Sequence, residues 1–148
     1  MGSEPGTDEL VGEIFALVDV ELPVRTGRIS TPGYVIIFLR KSQDFWAAEE
    51  RDLIDPIWTE YLKDSDELAA KLAAVWGSPT RVPLGPILDR SIAGESIPPL
   101  PDGLSQFAVH TDVWRVGSRV VCLGVGQHDK ELPVVLFAAV GDHWLADA

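Results

Sequence analysis

The residues of this sequence that could carry out acid–base chemistry lie close together near the carboxyl end. His110 and Asp112 are two positions apart, so on a β-strand both side chains point to the same face, beside Trp114. A carboxylate next to an imidazole can orient that imidazole as a general base. One hypothesis is therefore a small enzyme or ligand-binding domain with a cleft near His110 and Asp112, and with Arg115 as a further candidate. The alternative is a polar strand end at the rim of a sheet, since no serine or other nucleophile is placed to complete a catalytic set.

The other residues with potential reactivity indicate neither a metal site nor a cofactor site. Cys122 is the single cysteine, which excludes an intrachain disulfide, and its apolar neighbours predict a buried, inert thiol. The polar loop 128–131 contains a histidine and two acids, but no zinc-type ligand spacing. Gly124 and Gly126 lack the third glycine and the following helix of a nucleotide-binding loop. We therefore expect no metal and no cofactor.

Residues 44–67 form a strongly acidic stretch, with nine acids against Arg51 and Lys63. Glu49, Asp52 and Asp55 are spaced at three, so a continuous helix would gather them on one side. One interpretation is a solvated helix face. The other is a surface that attracts a basic protein by charge and anchors it through an aromatic side chain. The residues predicted to bind such a partner are Glu49, Asp52, Asp55, Trp58 and Glu60.

The net charge of −11 limits the class of partner. Nucleic acids and anionic membrane surfaces are themselves negative and would repel the protein. No charged-then-apolar leader opens the chain, and no apolar run approaches the ~20 residues of a membrane span. The absence of asparagine and the 8 arginines against 4 lysines are typical of a GC-rich bacterial genome. We expect a cytoplasmic bacterial protein that binds a protein partner.

A sheet near the carboxyl end has to position the candidate acid–base residues. Residues 107–140 predict a three-stranded antiparallel meander, whose first hairpin turns at Gly117-Ser118 because glycine supplies the positive φ of such a turn. This turn predicts the pairs Val116–Arg119, Trp114–Val121, Asp112–Leu123 and His110–Val125. If Gln127 opposes Leu132, the second hairpin pairs Val125, Leu123 and Val121 with Val134, Leu136 and Ala138. We expect this apolar face to meet the helices.

The opposite face of the meander needs a different cover. Gly124 and Gly126 lie in the middle of a strand on that face, which indicates a bulge or the close approach of another segment. Residues 77–106 hold six of the eleven prolines and are predicted to be irregular. They would contain a short edge strand at 80–84, a short helix around residues 87–88 and a loop at 91–105. We expect this proline-rich segment or a partner chain to cover the second face.

Helices are predicted in the amino-terminal half. Apolar positions at helical spacing predict helices at about 8–18 and 44–76. Pro56 either kinks the second stretch or begins a new helix after an N-cap at Asp55. A further helix is predicted to begin at Asp64 or Ser65. Residues 20–24 could start a strand, and residues 34–39 are predicted to form a buried strand.

The expected fold class is α+β, in a single domain that spans residues 1–148. An antiparallel sheet would include the meander, and the helices at about 8–18 and 44–76 would pack on one face. The favoured function is a non-enzymatic acidic module that docks a basic protein partner, as immunity proteins and secretion chaperones or adaptors do. The alternatives are the small enzyme or ligand-binding domain, and a homodimeric structural subunit that associates through the second sheet face.

Overall fold

The computed structural model describes residues 6–20, 33–142 and 144, and this part of the chain forms an α+β fold around one antiparallel sheet. The sheet has the strand order β1-β5-β4-β3-β2. Its strands are β1 (Tyr34–Lys41), β2 (Thr80–Pro83), β3 (His110–Val116), β4 (Arg119–Gln127) and β5 (Val134–Gly141). The helices are α1 (Thr7–Val18), a 3₁₀-helix (Ala48–Leu53), α2 (Ile54–Trp76), α3 (Gly85–Ile92) and α4 (Pro99–Ser105).

The predicted meander is confirmed as β3-β4-β5, and its first hairpin has the predicted register. Val116 pairs with Arg119, and the ladder continues to Asp112 and Leu123. Gly117 adopts a φ of +62°, which is the left-handed conformation that the turn requires. The predicted pair His110–Val125 is wrong. Ala108 bridges to Gly126, so β3 has gained one residue relative to β4 between this bridge and Asp112, which is a β-bulge.

The predicted register of the second hairpin is wrong by two residues. Gln127 pairs with Val134 and not with Leu132, so Val125 lies opposite Leu136. The cause is a longer loop: Pro133 has no N–H for a ladder, and Gln127 Nε2 donates to the Leu132 carbonyl oxygen at 2.9 Å. Because side chains alternate with a period of two, a shift of two residues leaves every side chain on its predicted face.

The helices predicted at 8–18 and 44–76 pack on one face of the sheet, as expected. Leu10 and Ile14 of α1 and Leu68 and Leu72 of α2 are fully buried there. The sheet contributes a row of buried side chains to the same core: Trp114, Val121, Leu123, Val125, Val134, Leu136, Ala138 and Val140. Each large apolar side chain buried in this way contributes about 1.5–3 kcal/mol to folding.

The second helical stretch is continuous from Ile54 to Trp76, so the predicted helix start at Asp64 or Ser65 is wrong. Pro56 lies in the first turn of α2, where its missing N–H breaks no hydrogen bond of the helix. Asp64 lies inside α2 and does not cap a helix, and its carboxylate forms an ion pair with Arg40 of β1, with Oδ2 2.9 Å from Nε. Ser65 is buried in the middle of the helix. Residues 44–47 are not helical, so the helical stretch predicted to begin at residue 44 begins at Ala48.

The proline-rich segment covers the second face of the sheet, but much of it is helical. Residues 99–105, predicted to be a loop, form α4, and α3 extends over Gly85–Ile92. Prolines in the first turns of both helices are compatible with this because the first N–H groups of a helix have no intrahelical acceptor. A second core lies here. It combines buried residues of the sheet with Leu84, Ile87, Leu100, Leu104, Phe107 and Trp144.

The strand predicted at residues 34–39 is confirmed as β1, but it is not fully buried. Among the described strands it lies at one edge of the sheet, and Phe38 is 48% exposed. Of the strand start predicted at 20–24, residues 21–24 lie outside the described part of the chain.

The two glycines of β4 allow aromatic rings to lie directly on the sheet. A Cβ added to Gly124 would be 2.9 Å from the ring of Phe137. At Gly126 it would be 2.7 Å from the Phe107 carbonyl oxygen and would overlap the Phe107 ring. The rings of Phe107 and Phe137 meet edge to face with centroids 5.3 Å apart. The close approach inferred from these glycines is therefore confirmed.

We predict that Gly126→Ala destabilises the protein by about 3 kcal/mol, because the new methyl group forces the Phe107 ring and backbone away from β4. Urea unfolding followed by circular dichroism measures the free energy of unfolding. Gly12→Ala is the matched control: Gly12 lies in α1 with open space around it, so alanine should stabilise by about 0.5–1 kcal/mol. Equal stability of Gly126→Ala and the native protein would show that Phe107 does not pack on β4.

Candidate functional site

The acidic residues predicted to bind a partner lie in two consecutive helices at the amino end of α2. Glu49 and Asp52 belong to the 3₁₀-helix, which has three residues per turn, so both point to the same side. Asp55 follows in the first turn of α2. These three residues and Glu60 are exposed to solvent. The spacing of three therefore places Glu49 and Asp52 on one side of a 3₁₀-helix, whereas Asp55 and Glu60 belong to α2, so the predicted single continuous helix does not carry all of them.

Four of the nine acids in residues 44–67 interact with other parts of the chain. The contacts are Asp64 with Arg40 at 2.9 Å, Asp66 with Arg81 at 3.7 Å, Glu50 with the Ala47 N–H at 3.3 Å, and Glu67 with the Thr7 hydroxyl at 3.2 Å. For the other five, no partner is found in the described part of the chain. We call these exposed carboxylates the acidic surface: Asp44, Glu49, Asp52, Asp55 and Glu60.

The nearest arginine does not neutralise the acidic surface. Arg51 lies between Glu49 and Asp52 in the sequence, but its guanidinium turns away from them. Its Nη2 lies 3.5 Å from Glu131 Oε1, and its Nε donates to the Phe45 carbonyl oxygen at 3.3 Å. Arg51 therefore forms no ion pair with Glu49 or Asp52.

Trp58, predicted as the aromatic anchor, is only partly available to a partner. Its ring packs against the core, and its indole Nε1 donates to Gln127 Oε1 at 3.2 Å. The exposed aromatic ring of this region is Trp46, which is 63% exposed, and Leu53 beside Asp52 is 46% exposed. Sequence reasoning missed Trp46. Its outward position follows from the burial of its neighbour Phe45 in a non-helical segment, and that burial is set by tertiary contacts that the sequence does not show.

His110 and Asp112 lie on the face of β3 that α1 and α2 cover, as predicted. The partner of Asp112 is not His110. Arg81 of β2 donates through Nε to Asp112 Oδ1 at 3.0 Å and through Nη2 to Oδ2 at 3.4 Å. Asp112 is only 4% exposed, so this two-point ion pair satisfies a buried carboxylate. Arg115 is at an odd position of the strand and therefore points to the opposite face. The three residues suggested for an enzymatic cleft do not converge.

The environment of His110 favours its neutral form. Burial lowers the pKa of His110, and the positive charge of Arg81 lowers it further, while Asp112 and Asp66 act in the opposite direction. Burial also raises the pKa of the Cys122 thiol far above its ordinary value, so the thiol stays protonated, in agreement with the predicted inert cysteine.

Within residues 6–20, 33–142 and 144, no group of three or more histidine, cysteine or acidic side chains is arranged to hold a metal ion. In the same residues, no helix combines the length and the apolar character that a membrane crossing requires.

We predict that Arg81→Gln raises the pKa of His110, because it removes a nearby positive charge and leaves Asp112 and Asp66 in place. A proton NMR titration of the His110 imidazole measures this pKa, and Arg90→Gln, which removes an exposed arginine paired with Glu95, should not change it.

Since the folded-state pKa of His110 lies below the unfolded value, the contribution of His110 to stability is present above the ordinary histidine pKa. It is lost as pH falls through the folded-state pKa. An unchanged or lower pKa in Arg81→Gln would contradict the assignment.

Comparison of the chain with protein-family models, with curated proteins and with solved structures found no match, so its function has to be inferred from its own residues and their geometry.

Proposed function

We propose that this protein is a non-enzymatic acidic module that docks a basic protein partner through the acidic surface and the neighbouring side chains of Trp46 and Leu53. The observation that carries the proposal is the combination of five exposed carboxylates that lack partners in the described chain with an aromatic ring that is 63% exposed. Charge would guide the encounter, and Trp46 would supply the apolar contact that slows dissociation. Trp58 would contribute the exposed part of its ring.

The electrostatics of the free protein support a basic partner. The acidic side chains of a chain with net charge −11 repel one another, and the five carboxylates of the acidic surface, which lack partners among the described residues, add to this repulsion. Lysine and arginine side chains of a partner would relieve the repulsion, and the complementary fields would raise the association rate at low salt. Immunity proteins and secretion chaperones likewise dock a protein partner.

The alternative of a small enzyme at His110 and Asp112 has weaker support. Both carboxylate oxygens of Asp112 bind Arg81, and no hydrogen bond between His110 and Asp112 occurs among the described contacts. A homodimer through the second sheet face is also less well supported, because α3 and α4 already bury the strand residues there.

The partner can be captured by a photo-crosslinking amino acid at position 53, which is exposed within the proposed surface, in a lysate of the source organism. The same amino acid at Ile92, which is 76% exposed on α3, controls for non-specific capture. We expect the Leu53 position, and not the Ile92 position, to crosslink one basic protein. Capture from both positions equally would contradict a site at the acidic surface.

We predict that reversing three charges, in the variant Glu49→Lys/Asp52→Lys/Asp55→Lys, weakens binding of that partner at least ~100-fold in calorimetry. Trp46→Ala should weaken it about 30-fold, which corresponds to the ~2 kcal/mol of a typical aromatic anchor. Affinity should also fall as ionic strength rises, because salt screens exposed charges.

The matched control is Glu9→Lys/Glu13→Lys/Asp19→Lys. It changes the net charge by the same amount at exposed residues on and just after α1. If this control weakens binding as strongly as the first triple variant, net charge alone governs the interaction and the proposed surface is wrong. Affinity that does not respond to ionic strength would also contradict the proposal.

A further inference from the structure

A half-open cavity of about 360 Å³ lies at the carboxyl end of α2, far from the acidic surface. Trp58, near the acidic surface, and Trp76, in the cavity wall, are 18 residues apart on α2, which corresponds to about 27 Å along a helix. The volume falls in the range of small-molecule sites. Three tryptophans line the cavity, together with two hydroxyl side chains and one arginine: Trp76, Trp114, Trp144, Ser78, Thr80 and Arg115.

The cavity exists because β2 is shorter than its neighbour. The first residue of β2, Thr80, pairs with Val113, so residues 114–116 of β3 extend beyond β2. Gly77 ends α2 with a φ of +85°, and residues 77–79 form no strand before β2 begins at Thr80. The space between the end of α2 and the extended part of β3 is therefore left open at the sheet edge.

The aromatic walls of the cavity are held in place by interactions within the protein. Trp114 Nε1 donates to the Gly77 carbonyl oxygen at 2.8 Å. The ring of Trp76 meets that of Trp114 edge to face, with centroids 5.9 Å apart, and meets Phe15 of α1 in the same way at 5.3 Å. Trp144 is only 6% exposed and packs in the second core. A ligand would therefore find the walls already ordered, which reduces the entropic cost of binding.

Arg115 differs from the other described arginines because no ion pair or hydrogen bond of its side chain is found in the described residues. The others have partners: Arg40 with Asp64, Arg51 with Glu131, Arg81 with Asp112, Arg90 with Glu95, and Arg119 with the carbonyl oxygens of Val18 and Val20. In a chain with 23 acidic residues, Arg115 has no partner among the described residues and lines an aromatic cavity. A guanidinium binds a carboxylate through two parallel hydrogen bonds.

We propose that this cavity is a binding site for a small planar aromatic carboxylate. Trp114 and Arg115 are consecutive in β3 and point to opposite faces, so the ligand would lie around the edge of β3 that β2 leaves uncovered. Its ring would contact Trp76 and the cavity-facing edges of Trp114 and Trp144, because aromatic rings gain from edge-to-face and offset contacts with one another. Its carboxylate would bind Arg115, and the hydroxyl groups of Ser78 and Thr80 would supply further hydrogen bonds. Arg115 would repel a cationic ligand, and the volume excludes a large one. This site is separate from the proposed docking surface and does not depend on it.

The test uses 2-naphthoate as the probe, added to the full-length protein labelled with nitrogen-15. Indole N–H signals report on all five tryptophans separately. We expect saturable shifts for Trp76, Trp114 and Trp144, with a dissociation constant of about 0.1–1 mM, as is usual for a ligand of this size. Trp46 and Trp58 serve as internal controls at the other end of α2, and their signals should not move.

Two variants and a neutral probe separate the charge of the site from its shape. Arg115→Gln should weaken 2-naphthoate at least ~10-fold and leave the affinity for neutral 2-naphthamide unchanged. Thr80→Phe, at an exposed edge position, should fill the cavity and abolish binding of both probes. Arg90→Gln controls for the loss of one positive charge elsewhere and should bind like the native protein. All three changes are at exposed residues, and the dispersion of the amide signals confirms folding.

Three results would overturn the proposal. The first is the absence of saturable shifts at Trp76, Trp114 and Trp144 up to about 10 mM probe. The second is an affinity for 2-naphthoate that Arg115→Gln does not change, because the carboxylate would then have another partner. The third is a second copy of the chain that closes the cavity, which sedimentation velocity would detect as a dimer that Thr80→Phe disrupts.

Discussion

The burial of β4 and β5 on both faces is the constraint on which the rest of the structure depends. Every residue of β5 is buried, and β4 is buried from Val120 to Gly126. Such strands can carry no unpaired polar side chain, since burying a polar group without a partner costs about 1–3 kcal/mol. The chain therefore needs a layer of helices on each face of the sheet. Helices α1 and α2 cover one face, and the short helices α3 and α4 cover the other.

A sheet that is apolar on both faces forces the charged residues to the periphery. Asp112 is the one carboxylate among the buried residues of the described chain, and it is paired with Arg81 from the neighbouring strand. Surplus acids collect at the amino end of α2, where the partial positive charge of a helix terminus offsets part of their repulsion. Asp55 lies in the first turn of α2, and Glu49 in the first turn of the preceding 3₁₀-helix. The helix termini therefore reduce the cost of placing these acids near one another in the free protein.

The sequence was sufficient for those features that depend on local pattern. The Gly117-Ser118 turn set the register of the first hairpin, and the apolar stripes of the two long helical segments identified the face that they cover. The register predicted for the second hairpin was wrong, because the sequence of a six-residue loop containing Pro133 does not determine which residues of β4 and β5 pair. The prediction of a loop over residues 91–105 was wrong, because α4 begins at Pro99. Proline disfavours the interior of a helix but is tolerated in its first turn.

The candidate sites show the same division between local pattern and tertiary contact. The spacing of Glu49, Asp52 and Asp55 was visible in the sequence, because three residues complete a 3₁₀ turn. The outward position of Trp46 depends on the burial of Phe45, and the partner of Asp112 depends on the pairing of β2 with β3. Neither could be derived from spacing along the chain. The aromatic cavity is still less accessible to sequence reasoning, because Trp76, Trp114 and Trp144 come from three separate segments.

The separation of the two proposed sites has a consequence for how they would work together. About 27 Å along α2 is more than three times the screening length of about 8 Å at physiological salt, so a basic partner at one end exerts little direct force on an anion at the other. Coupling would require α2 to move as a body. Tyr61, Leu68 and Leu72 hold the helix in the core, and the Arg40–Asp64 ion pair joins it to β1. Because packed cores resist continuous deformation, the two sites should bind their ligands independently.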